Sequence, residues 1–226
     1  MHAIVNPKLL ELVQNAADIG AEPEVLKAII QQSKDYSDAY ASAIRMLSTN
    51  HDVTMAGPVY RIPMLTRESC DEIVTKCREL SFERNEVEGE RYQIDESVLQ
   101  TKCPELYDRL GRVLLPVLNM WSLLIYQRPI TRVASFQVAK YTPEGTYMTG
   151  FHHDRDSDVT AVISLNPGEF EGGGTDLRIM PHESQHVPPL NKGSALFFNG
   201  KMIHHRGAPV TKGERYLLVC WLESEV

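Results

Sequence analysis

Thr131-Arg-Val-Ala-Ser-Phe-Gln-Val-Ala-Lys-Tyr141 marks the place where the chain changes character. Before it, apolar residues recur at helical spacing. From it onward they fall in short alternating or continuous runs at 131–141, 159–165, 175–179, 194–198 and 214–222, as strands do. Gly172-Gly173-Gly174, Pro188-Pro189, Asn191-Lys192-Gly193 and Lys212-Gly213 lie between the runs, where turns are needed. Helices first and antiparallel strands afterwards predict a mainly β chain with helical support (α+β), a barrel or jelly roll rather than a doubly wound sheet.

Working back from Thr131, Pro104 opens a long helix through Leu106, Leu110, Leu114, Leu118 and Trp121, with a kink expected at Pro116. Thr66 caps a helix whose stripe is Cys70, Ile73, Val74, Cys77 and Leu80. Between them, residues 81–96 are charged and without periodicity, which predicts an exposed loop that serves as a lid or as a connector. Asn6-Pro7 and Glu22-Pro23 start two further helices, and a third is expected near 37–48. The organisation expected is an N-terminal helical region, 1–55, packed on a main domain, 56–226.

Hydrophobic residues make up 42% of the 226, enough for one substantial core. A net charge of -7 argues against a nucleic-acid partner. Cys70, Cys77, Cys103 and Cys220 have no Cys-x-x-Cys spacing, so reduced and mostly buried thiols are expected, not a zinc site or a disulfide framework. The start, Met1 to Lys8, lacks the basic and apolar pattern of a secretory signal, and no segment has the length of a membrane span. The expectation is a soluble, cytoplasmic protein.

The chemistry-bearing pattern is His152-x-Asp154, then His205, then Arg215 ten residues later. Two imidazoles and a carboxylate can take one face of an iron(II) ion and leave the remaining positions open. In an extended segment residues two apart share a face, so His152 and Asp154 can reach one metal. His153, His204 and Asp156 are the competing neighbours. In the last strand Arg215, Leu217, Val219 and Trp221 share one face, apolar apart from the arginine. A lone arginine on an inward face needs an anion, and a bound keto-acid carboxylate suits its planar fork. His182 and His186 have helical metal-pair spacing, yet Pro181 and Pro188-Pro189 argue against a helix, so both are expected at the surface.

Phe151-His-His-Asp154, Val159-Thr-Ala-Val-Ile-Ser-Leu-Asn166, Phe170-Glu-Gly-Gly-Gly174, Lys192-Gly-Ser-Ala195 and His205-Arg-Gly-Ala-Pro-Val-Thr-Lys-Gly-Glu-Arg-Tyr216 resemble the Fe(II)/2-oxoglutarate-dependent dioxygenases. Within them the resemblance is to the prolyl 4-hydroxylase and procollagen lysyl hydroxylase group, and it covers roughly residues 131–222. It implies a double-stranded β-helix with Fe(II) on His152, Asp154 and His205. It also implies 2-oxoglutarate and O2 as cosubstrates, ascorbate (vitamin C) as reductant, and hydroxylation of a prolyl or lysyl residue in a protein or peptide with release of succinate and CO2. Arg215 stands where the prolyl hydroxylases usually carry lysine. By position, Tyr141 and Thr160 match contacts to the 2-oxoglutarate tail, Trp221 an aromatic lining the iron pocket, and Tyr147 a substrate-side aromatic. The segment from Tyr147 to His152 is two residues longer than in the prolyl hydroxylase pattern. The same chemistry on a free amino acid, small metabolite or nucleobase is the alternative. A non-catalytic binding scaffold is the alternative of another class.

Overall fold

The computed structural model describes residues 59–84, 95–126, 128–180 and 183–224. The helices expected before residue 50, and with them the 1–55 region, lie outside these residues, as does His182. Twelve strands are described: β1 (Val59–Pro63), β2 (Glu83–Arg84), β3 (Asp95–Val98), β4 (Ile130–Tyr141), β5 (Val159–Ser164), β6 (Phe170–Gly172), β7 (Thr175–Met180), β8 (Glu183–Val187), β9 (Ser194–Phe198), β10 (His204–Gly207), β11 (Val210–Gly213) and β12 (Arg215–Ser224). Three helices accompany them: α1 (Arg67–Cys77), α2 (Leu99–Lys102) and α3 (Pro104–Tyr126).

The major sheet has seven strands in the order β1-β9-β5-β12-β4-β3-β2, all paired antiparallel. A smaller sheet, β10-β7-β8, and a two-stranded ribbon, β11-β6, complete the strand set. An antiparallel bridge between His152 and His205 extends the smaller sheet by one backbone segment.

Strand parity sorts the side chains. On β12 the even residues Tyr216, Leu218, Cys220 and Leu222 join one core with Phe136 and Val138 of β4 and Val159, Ala161 and Ile163 of β5. Cys70, Ile73, Val74 and Cys77 of α1 and Leu110, Leu114, Leu118 and Trp121 of α3 close that core from the helical side. The odd residues Leu217, Val219 and Trp221 face the other way and line a cavity. One strand thus separates the helix-packed core from the functional interior, because its side-chain period is two.

Thr66 caps α1 as expected, its hydroxyl accepting from the Ser69 N–H at 3.3 Å. Pro104 begins α3, where a missing N–H costs nothing. The helix continues unbroken past position 116, so the proline there does not end it. Of the segment expected as a loop at 81–96, residues 85–94 lie outside the described residues. Its described ends, β2 and β3, are paired strands that extend the major sheet beyond β4. Backbone pairing to an open sheet edge needs no side-chain periodicity, which is why the charge pattern hid it. All four cysteines are free thiols, and three of them are buried. No described helix is long and apolar enough to cross a membrane.

Candidate metal centre and its cavity

His152 and His205 are joined by reciprocal backbone hydrogen bonds of 2.8 and 2.9 Å, and the Asp154 N–H donates to Gly200 O at 3.0 Å. These bonds fix three short backbone segments against one another, and their side chains converge. His152 Nε2 lies 3.6 Å from Asp154 Oδ1, and His205 Nε2 lies 3.7 Å from Asp154 Oδ2. One ligand atom from each of the three residues falls within 4.8 Å of the others. Ligand atoms at right angles and about 2.1 Å from a common ion are about 3 Å apart, so small side-chain movements close the set on a metal.

Each imidazole is already oriented. His152 Nδ1 is 2.9 Å from Gly150 O, and His205 Nδ1 is 3.0 Å from Ile203 O. A carbonyl can only accept, so Nδ1 carries the proton and the Nε2 lone pair points at the shared centre. Burial pushes the His205 imidazole below its ordinary pKa, which favours the neutral, metal-binding form.

Parity also resolves the competing neighbours. His153 and Asp156 are exposed, and His204 stacks on His153 with ring centres 4.7 Å apart. His186 is likewise at the surface, its Nδ1 paired with Asp176 at 2.8 Å. Among the described residues, His152, Asp154 and His205 are the set brought together.

Thr160 sits beside the carboxylate of Asp154. Its buried hydroxyl lies 2.7 Å from Asp154 Oδ2 and 2.9 Å from Ser157 Oγ. Ser157 Oγ in turn donates to Val159 O and accepts from the Leu222 N–H. The threonine therefore belongs to the support of the metal-side carboxylate, because the 154–160 turn folds β5 back under Asp154. Gly200 makes that approach feasible, since a Cβ there would sit 2.5 Å from Thr160 Oγ1.

Arg215 is buried, and its Nη1 donates to Gly174 O at 2.9 Å. Its guanidinium carbon lies 5.3 Å from the Tyr141 ring centre and 5.8 Å from that of Phe170. Its Nε has no hydrogen-bond partner among the described residues, and no described carboxylate is placed to offset its charge. Desolvation holds its pKa below the usual arginine value. A buried cation with an unused donor is costly unless an anion arrives, so this residue fits a ligand carboxylate.

Tyr141 is buried beside it, with its hydroxyl close enough to position 207 that a Cβ there would lie 2.4 Å away. Burial raises the Tyr141 pKa, keeping the phenol a neutral donor. The main cavity encloses about 600 Å3 including its open mouth, and is lined by the metal set, Tyr141, Leu217, Val219 and Trp221. It adjoins the space over Arg215 through shared walls at Val162, Thr175 and Leu217. Trp221 is thus in the wall, whereas Tyr147 is 50% exposed and outside the described lining.

Residues 136–223 match the 2OG-Fe(II) oxygenase superfamily model. The chain carries a 2OG-Fe(II) oxygenase domain. The chain is 28% identical over 178 residues to the multifunctional procollagen lysine hydroxylase and glycosyltransferase of Rattus norvegicus, covering 73% of this chain and 23% of the relative. It is 25% identical over 195 residues to the corresponding protein of Caenorhabditis elegans, covering 79% and 26%. The chain spans about a quarter of the length of these curated relatives. The oxygenase fold is shared with a 2OG-Fe(II) oxygenase family oxidoreductase from Burkholderia pseudomallei, at TM-score 0.60 and 16% identity over 84% of this chain and 91% of that one. It is shared also with a Pseudomonas putida prolyl-4-hydroxylase, at TM-score 0.58 and 19% identity over 83% and 100%. The architecture is accordingly the jelly roll of the 2OG-Fe(II) oxygenases.

Sequence reasoning missed Ser157, Gly200, Thr149 and Gln137. Gln137 was within reach, since stepping back by two from Tyr141 passes through Ala139 to Gln137. Thr149 lies in an irregular segment and is tied to the site by the Gly207 N–H, which donates to its hydroxyl at 2.8 Å. Nothing local marks it.

Proposed function

We propose that this domain is a dioxygenase that hydroxylates an unactivated C–H bond of a prolyl or lysyl residue in a protein or peptide, with 2-oxoglutarate leaving as succinate and CO2. The observation that carries the reading is the buried guanidinium of Arg215 beside a cavity whose other end is a His–Asp–His set. His152, Asp154 and His205 would hold Fe(II), with the two Nε2 atoms as neutral ligands and the carboxylate as the anionic one. Bound Fe(II) supplies the dioxygen chemistry that couples oxidative decarboxylation of 2-oxoglutarate to hydroxylation, with ascorbate as reductant.

The chain's own residues provide binding, orientation and a dry wall. Arg215 pairs with the far carboxylate of 2-oxoglutarate, and the neutral Tyr141 hydroxyl donates beside it. Thr160 holds one oxygen of Asp154, leaving the carboxylate a fixed direction toward the metal. Leu217, Val219, Val162 and Trp221 exclude water from the reacting volume. The curated relatives are named as lysine hydroxylases, and this supports a side chain of a protein as the acceptor.

The test is succinate release by the purified protein supplied with Fe(II), ascorbate and 2-oxoglutarate. His205→Ala should abolish both turnover and metal binding, and His204→Ala should leave metal binding intact. Metal binding that survives His205→Ala, or a wild-type protein that neither binds iron nor forms succinate, overturns the proposal.

A further inference from the structure

The two metal histidines put their chain neighbours on the far side of the smaller sheet. His205 and Gly207 of β10 and Thr175 of β7 line the cavity, and because side chains alternate, His204, Arg206, Asp176 and Arg178 face away from it. The register sets His204 against Arg178 and Arg206 against Asp176. His152 bridges to His205, so Phe151 and His153 join the same outer face.

Stacking holds that face in one arrangement. The guanidinium carbons of Arg178 and Arg206 lie 4.1 and 4.7 Å from the centre of the Phe151 ring. The His204 ring is 5.3 Å from that of Phe151 and stacks on His153 at 4.7 Å. A guanidinium laid on a ring keeps its in-plane N–H donors for a ligand, and less side-chain entropy is lost when one binds.

The charges of this face do not cancel. Asp176 has both oxygens engaged, Oδ1 by His186 Nδ1 and Oδ2 by Arg206 Nε, each at 2.8 Å. Arg178 is exposed and enters no ion pair among the described residues. Two guanidiniums over one ring repel each other, and a carboxylate reaching Arg178 relieves that repulsion. The chain as a whole has a net charge of -7, so the positive surplus is local and selects an acidic partner against a generally acidic surface.

We propose that this outer face, centred on Arg178 and Phe151, docks an acidic segment of the polypeptide that the domain hydroxylates. The identity of that polypeptide as the substrate rests on the dioxygenase reading; the docking itself does not. Strands β7 and β10 stand between the face and the cavity, so a chain held outside leaves the cavity free for the target side chain. Holding one part of a chain raises the effective concentration of another.

The experiment measures peptide binding to the full chain by fluorescence anisotropy, with Mn(II) present. The probes are a labelled glycine–serine peptide bearing a glutamate cluster, the same peptide with glutamine in place of glutamate, and labelled oligothymidylate. At low salt wild type should prefer the glutamate peptide by about 5- to 10-fold, the range of one or two half-exposed charge pairs. Roughly 0.5 M NaCl should remove most of that preference. Arg178→Gln should reduce it to about two-fold or less, whereas Lys212→Gln, which removes an exposed cation of β11, should leave it in place. Equal binding of the two peptides by wild type overturns the proposal, as does a preference that survives Arg178→Gln or is lost equally in Lys212→Gln. Tighter, Arg178-dependent binding of oligothymidylate also overturns it, assigning the face to a phosphate backbone. The wild-type ratio is readable even if Arg178→Gln folds poorly. Succinate formation without peptide should be the same in Arg178→Gln and wild type, and its absence from both would count against the dioxygenase reading alone.

Discussion

Replacing Arg215 with methionine should make the ligand-free protein more stable while removing its response to 2-oxoglutarate. A charged group taken out of water costs several kcal/mol, say about 5, after relaxation. The hydrogen bond from Nη1 to Gly174 O offsets about 2 kcal/mol of that. The contacts to Tyr141 and Phe170, at 5.3 and 5.8 Å, offset about 1 more together. Roughly 2 kcal/mol stays unfavourable in the free protein, and methionine fills a similar volume without it. For a chain of this size that is a rise of about 4–8 °C in Tm. In wild type, 2-oxoglutarate at a hundred times its Kd adds about 2.7 kcal/mol to stability, with Mn(II) as the inert metal. The assay is differential scanning fluorimetry of both proteins with and without the keto-acid. A variant several degrees less stable than wild type without ligand would show the guanidinium to be a structural prop. A variant that still gains stability from 2-oxoglutarate would remove Arg215 from the binding site.

Three other outcomes can be measured directly. Thr160→Val should weaken Mn(II) or Fe(II) binding about 10- to 100-fold in a direct titration, with Thr160→Ser restoring most of it; unchanged affinity would mean that Asp154 is held by other groups. Gly207→Ala puts a Cβ 2.4 Å from the Tyr141 hydroxyl and should destabilise by about 1–3 kcal/mol while raising the KM for 2-oxoglutarate, whereas a silent substitution would show that the tyrosine moves freely. Burial holds the His205 pKa below its ordinary value, so below about pH 6.5 the unfolded chain takes up a proton that the folded one refuses. Stability of the metal-free protein should therefore fall as pH drops through that range, and His205→Gln should flatten the dependence in urea titrations at pH 5.0 to 7.5.

The strands with the strongest pattern were legible in the sequence. The run from Thr131 to Tyr141 and the last strand alternate between helix-packed core and cavity, and they emerge within two residues of the bounds expected. Strands β1, β2, β3, β6, β8, β10 and β11 escaped notice. All are two to five residues long, too short for a period to register, and their stability comes from the neighbours they pair with. Residues 152–154 read as an extended segment with coordinating side chains, and backbone pairing of His152 with His205 shows what holds it.

What the sequence determined by itself is the inventory and the parity: a His-x-Asp pair, a distant histidine, and an arginine on the apolar face of the final strand. Those follow from residue identity and the period of two, which are local properties. Tertiary structure brought together His152 and His205, the histidines the spacing favours, and left His153 exposed. It set the Thr160 hydroxyl against the carboxylate of Asp154, and it brought Glu96 out of a charged segment onto the cavity wall. These depend on which strand lies beside which, set by the joint burial of β4, β5 and β12 against α1 and α3 and not by any stretch of chain read alone.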